Sequence, residues 1–164
     1  MLTEAAATEV AVKQLAFHHN IIHLATHGIA YTTKPLDSFI AFTPTDAENN
    51  NGFLTAREIA IRRKLPMDLV VLSACQTALG KVSGDGIIGL SRACLIAGAR
   101  TVIVSQWSVS DSATKELMIA FYQNYLRSGN KATALQQATN TVRKNTQYNK
   151  PRYWAAFTLV GSEI

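Results

Sequence analysis

The sequence predicts an α/β fold in which a mostly parallel sheet carries helices on both faces. Two runs, "DLVVLSA" and "RTVIVSQW", hold consecutive apolar residues, as strands covered on both sides do. Each follows a helical pattern that is closed by Pro66 or by Gly98. The alternation of such strands with helices is the signature of crossover-connected parallel strands. At 164 residues, 48% hydrophobic and 16% charged, the chain is sized for one domain, residues 1–164, with its own core.

The elements follow in order. Ala5 to Phe17 sets Ala6, Val10 and Leu15 at helical spacing and breaks at "HHN". "NIIHLATHG" reads as one short strand ending at Gly28. Ile29 to Phe53 is the loosest segment, with a candidate strand in "SFIAFTP" and a turn by composition in "DAENNNG". "TAREIAIRRK" is a short helix capped by Thr55 that leads into "DLVVLSA". After a glycine-rich loop, "DGIIGLSRACLIAGA" is a helix ending at Gly98, and "RTVIVSQW" is the second apolar strand. Helices over Ser112–Arg127 and Lys131–Asn145 follow, with Gly129 and Asn130 as stop and cap, and "AAFTLVG" is the last strand.

Composition excludes several classes. The net charge of +5 is dispersed, and its densest cluster, Arg62-Arg63-Lys64, is too short for a nucleic-acid groove. "MLTEAAATEVAVKQL" carries Glu4 and Glu9 and has no basic start before an apolar run, so it is not a signal peptide. No apolar segment reaches the roughly 18 residues of a membrane helix. Two cysteines are too few for a disulfide framework, and a reducing, cytoplasmic location is the expectation.

In parallel sheets, function gathers at the carboxyl ends of the strands. That rule marks His27-Gly28, Ala74-Cys75 and Trp107 to Asp111 as neighbours on one edge. Cys75 alone fits a small core residue as well as a nucleophile. A thiolate needs a base nearby, and His27, at the end of the other early strand, supplies one. Cys94, on the apolar face of a helix, reads as core.

Two other constellations are weaker. His23 and His27 have the H-x-x-x-H spacing of a zinc site on a helix, but on a strand that step is about 13 Å, too far for one ion. No constellation requires a metal or cofactor. Gly84 to Gly89 matches G-x-G-x-x-G, with Asp111 beyond it, but residues 75–83 separate it from the strand end where a dinucleotide loop begins. Its glycines fit a flexible loop and a close helix start beside Cys75.

Five motifs in order, "ATE" (Ala7 to Glu9), "HLATHG" (His23 to Gly28), "LSACQT" (Leu72 to Thr77), "GDGIIGLSRACLIAGARTVIVSQWSVSD" (Gly84 to Asp111) and "YWAAFTLVG" (Tyr153 to Gly161), cover almost the whole chain. Together they resemble the CHAT domain, a caspase-like peptidase domain found with tetratricopeptide repeats and related to separase. The histidine also precedes the cysteine by about 50 residues, as in caspases.

The resemblance implies a caspase-like three-layer sandwich and a cysteine endopeptidase acting on a protein or peptide through a thioester. His27 would be the base, Cys75 the nucleophile, and the backbone N–H groups of Gly28 and Cys75 the oxyanion hole. By the same resemblance Asp111, with Asp85 as second choice, would meet a basic side chain before the scissile bond; Trp107 lies at the same strand end. The family's domain is longer at its N-terminus, so the expectation is a truncated domain whose "NIIHLATH" strand is an unpaired edge. That edge would be completed by a missing N-terminal section, a tetratricopeptide-repeat partner or self-association. The rival functions are a catalytically inactive caspase-like interaction module and a nucleotide-binding α/β domain.

Overall fold

Thr8 decides where the first helix begins. Its Oγ1 accepts the Ala11 N–H at 3.2 Å, so α1 spans Glu9–Leu15 and the expected start at Ala5 is taken instead by a single 3₁₀ turn, Glu4–Ala6. The computed structural model describes residues 1–31, 33–45, 50–62, 65–73, 75–76 and 84–162, without the side chains of Phe17, Cys75, Gln76 and residues 84–88. The expected turn at Asp46 to Gly52 lies partly, and the glycine-rich loop up to Ser83 almost wholly, outside the described residues.

"NIIHLATHG" is not one strand. It divides into β1 (Ile21–Leu24) and β2 (His27–Ile29), which belong to different sheets. β3 (Phe39–Ala41) follows, then β4 (Phe53–Thr55), which the sequence pattern missed. Three residues are too few to show an alternation, and β4 runs straight into the next helix. That helix, α2 (Ala56–Ile61), opens with a capping box: Thr55 Oγ1 accepts the Glu58 N–H at 3.2 Å and Glu58 Oε2 accepts the Thr55 N–H at 2.9 Å.

The remaining elements are β5 (Leu69–Leu72), β6 (Cys75–Gln76), α3 (Gly84–Ala97), β7 (Thr101–Ser105), α4 (Asp111–Ser128), α5 (Lys131–Lys144), α6 (Pro151–Trp154) and β8 (Phe157–Gly161). The larger sheet has the order β1-β5-β7-β8, parallel except for β8. The smaller has the order β4-β3-β2-β6, in which β2 and β6 are parallel. Gly84 to Gly89 lies within α3, which starts one residue before the expected Asp85, and contains no strand-to-helix turn of the dinucleotide kind. At Gly89 a side chain would place its Cβ 2.8 Å from Pro35 O, so glycine lets α3 approach the 3₁₀ turn Pro35–Asp37.

Strand alternation builds two cores. Val70, Leu72, Val102 and Val104 face α2 and α3, where they meet Ile59, Leu90, Ala93 and Cys94. Leu69, Val71 and Ile103 face α4 and α5, against Leu117, Phe121, Ala134 and Val142. Every residue of β5 and β7 is therefore buried, which is why both read as unbroken apolar runs. Gly98 ends α3 at φ +120°, and a Cβ there would lie 2.6 Å from Leu65 O. At the amino end of the sheet Lys131, 1% exposed, donates to Asp68 Oδ1 at 3.0 Å, and Tyr125 donates to Asp68 Oδ2 at 2.8 Å, tying α4 and α5 to β5.

Lys13 of α1 pairs with Glu9 and, at 2.7 Å, with Glu58 of α2. Desolvation opposes the Glu58 charge, but the Lys13 ammonium and the Thr55 donors outweigh it and hold the carboxyl at about 2. A depressed carboxyl pKa adds stability above its ordinary value of 4.5, lost as pH falls through about 2. Glu58→Ala should cost roughly 1 kcal/mol in denaturant melts at neutral pH. The gap to the parent should close as the pH drops from 4.5 towards 2; a gap independent of pH would contradict this assignment.

Candidate active site

The break between β1 and β2 is matched by a break between β5 and β6. Leu24 pairs with Leu72, two residues follow on each chain, and pairing resumes with His27 beside Cys75 and Gly28 beside Gln76. Neighbouring strands lie about 4.8 Å apart, so the backbones at His27 and Cys75 are adjacent. β3 and β4 add to the outer side of β2, with Gly28 opposite Ile40 and Thr26 Oγ1 donating to Ala41 O at 2.7 Å.

His27 is exposed and opens onto a cleft of about 770 Å³ between the strand ends and α4. His23, Ser73, Asp111, Lys115 and Tyr122 line it as well. Asp111 stands in the first turn of α4, exposed, where a carboxylate also suits the positive end of the helix dipole. Ser110 occupies the cap position, and its side chain makes no capping bond.

Trp107 is directed elsewhere. Its indole N–H donates to Arg152 O at 3.0 Å and its ring packs against the core under α4, because β8 and α6 fold back beside the end of β7. Asp85 falls in the first turn of α3, and its side chain, like that of Cys75, lies outside the described residues.

His23, weighed in the sequence only as a metal ligand, is the cleft residue that pattern reading overlooked. Its Nε2 is 2.7 Å from Ser73 Oγ and its Nδ1 3.2 Å from Tyr122 Oη. His23 lines the cleft and is exposed as a residue, yet desolvation lowers its pKa, and burial pushes the Tyr122 hydroxyl up to about 12. Parity along β1 was the available signal, since His23 shares the Ile21 face and not the Ile22 face. Among the described residues no group of three His, Cys, Asp or Glu could hold a metal ion, and no helix is long and apolar enough to cross a membrane.

A family profile for the CHAT domain matches residues 1–162. This chain belongs to the CHAT domain family. The parallel sheet between two helical layers is the α/β, caspase-like architecture that the family implies. The chain is also similar to tetratricopeptide repeat protein 28 of Mus musculus, 39% identical over 111 residues, and to its Homo sapiens counterpart, 40% identical over 111 residues. The matched stretch is 68% of this CHAT chain and 4% of either relative.

Cys94 sits in the first core at 3% exposure, and burial raises its thiol to about 12. It should resist iodoacetamide at pH 8 in the native protein and react only after unfolding. Rapid native labelling of Cys94, read by peptide mass spectrometry, would contradict its placement.

Proposed function

We propose that this CHAT domain is a cysteine endopeptidase whose dyad is His27 and Cys75. The single observation that carries the reading is their register: two residues able to act as base and nucleophile are cross-strand partners at the carboxyl end of a parallel sheet. His27 takes the Cys75 thiol proton as sulfur attacks the peptide carbonyl. The backbone N–H groups of Gly28 and Cys75 receive the oxyanion. Collapse of the tetrahedral species breaks the C–N bond, His27 returns the proton to the leaving amine, and water hydrolyses the resulting thioester.

Asp111 stands in the same cleft as His27, where its carboxylate would meet a basic side chain beside the scissile bond. Such an exposed ion pair is worth at most about 1 kcal/mol. The substrate is therefore a protein or peptide segment entering the 770 Å³ cleft in extended form. The tetratricopeptide-repeat context of the relatives suits a protein substrate delivered by a neighbouring repeat domain.

Turnover of a fluorogenic peptide library tests both roles. Cys75→Ala should abolish cleavage, and His27→Ala should lower kcat by about 10²- to 10⁴-fold. Asp111→Asn should reduce kcat/KM for substrates with Arg or Lys before the bond by up to about fivefold and leave others unchanged. A parent protein that neither cleaves the library nor labels at Cys75 with peptide chloromethyl ketones would leave a non-catalytic interaction module in its place.

A further inference from the structure

His23 takes no part in the dyad, yet each of its ring nitrogens faces a hydroxyl. The bonds span three elements: β1 carries the imidazole, Ser73 follows β5, and Tyr122 stands on α4. The Tyr122 ring also lies against the imidazole, with centroids 5.7 Å apart. A neutral imidazole donates at one nitrogen and accepts at the other, so it satisfies both hydroxyls in either tautomer.

The location matters because the strand pairing is interrupted there. Between Leu24 beside Leu72 and His27 beside Cys75 the strand pairing lapses while the offset between the two segments is kept, and a main-chain bond there is Ser73 N–H to Leu24 O at 3.1 Å. The 2.7 Å contact of His23 with Ser73 joins the two chains at this point, four residues before His27 and two before Cys75. Tyr122 then fixes the joined pair to α4, whose residues form the cleft wall.

We infer that His23, Ser73 and Tyr122 form a clasp across the interrupted ladder, and that His23 is a positioning residue setting the approach of His27 to Cys75. The inference rests on the dyad reading for its catalytic meaning. Misplacement of reacting groups by about 1 Å can cost 10²-fold in rate, so a lost clasp acts on the chemical step and not on peptide binding.

Three variants test it: His23→Leu, which removes both bonds; His23→Gln, which keeps one donor and one acceptor; and Tyr122→Phe, which keeps the ring and removes one hydroxyl. The expected result is a kcat about 10- to 100-fold lower in His23→Leu with KM within about twofold, and recovery to within about threefold of the parent in His23→Gln. Tyr122→Phe should give the same split at a loss of a few-fold, which keeps the test open if His23→Leu does not fold. Parent-like kcat in both His23→Leu and Tyr122→Phe, or a change confined to KM, overturns the clasp.

If the parent neither cleaves peptides nor labels at Cys75, the dyad reading fails by itself. Amide hydrogen exchange at Gly28 and Cys75 then decides the clasp: faster exchange in His23→Leu that His23→Gln reverses supports it, and unchanged exchange overturns it.

Discussion

The parallel pairing of β1 with β5, resumed as β2 with β6, is the constraint on which the rest of the molecule depends. β5 is closed on both faces and on both edges, so its position admits little adjustment. β1 is more discriminating. Ile22 and Leu24 face the first core, while Ile21 and His23 face the side of α4. A slip of one residue would drive the His23 imidazole into an apolar core and bring Leu24 out of it, so the register is held by the cost of burying a polar ring. With it the chain meets His27 beside Cys75.

The two ends of the sheet divide the work. At the amino end the Asp68 carboxylate is bonded to Lys131 and Tyr125, a polar knot that anchors α4 and α5. At the carboxyl end the first turns of α4 supply Asp111 and Lys115 as walls of a cavity that His23, Thr26 and His27 also line. Breaking the strands before His27 and Cys75 lets β3 and β4 join the outer side of β2. Among the described residues β1 keeps one open edge, bordered by a groove of about 800 Å³ lined by Leu15, Ile21 and Ile22 and sharing His23 and His27 with the cleft. Such an edge is a surface on which another strand can pair.

Most of the helices were legible because each carries its own boundary signal. Thr55 with Glu58, Asn130 and Gly129 mark ends by local hydrogen bonds and backbone conformation, which act over a few residues and are visible in order along the chain. The short strands were legible only in part. β3 lies within the expected "SFIAFTP" strand, but β2 and β4, of three residues each, are defined by partners that lie up to several tens of residues away. Trp107 shows the same limit at the site: its sequence position at the end of β7 suggested the cleft, but the carbonyl of Arg152, brought round by β8, holds its indole elsewhere.

The sequence by itself determined the α/β class, the buried character of β5 and β7, and the residues that stand at strand ends, because hydrophobic periodicity and caps are local and additive. It also carried the CHAT motifs, which together identify the family. Only the tertiary structure decided that "NIIHLATHG" divides between two sheets, that His27 lies beside Cys75, and that His23 bridges Ser73 and Tyr122. Those outcomes depend on register between segments about 50 and 100 residues apart, which follows from the joint packing of two cores and from no local pattern in the chain.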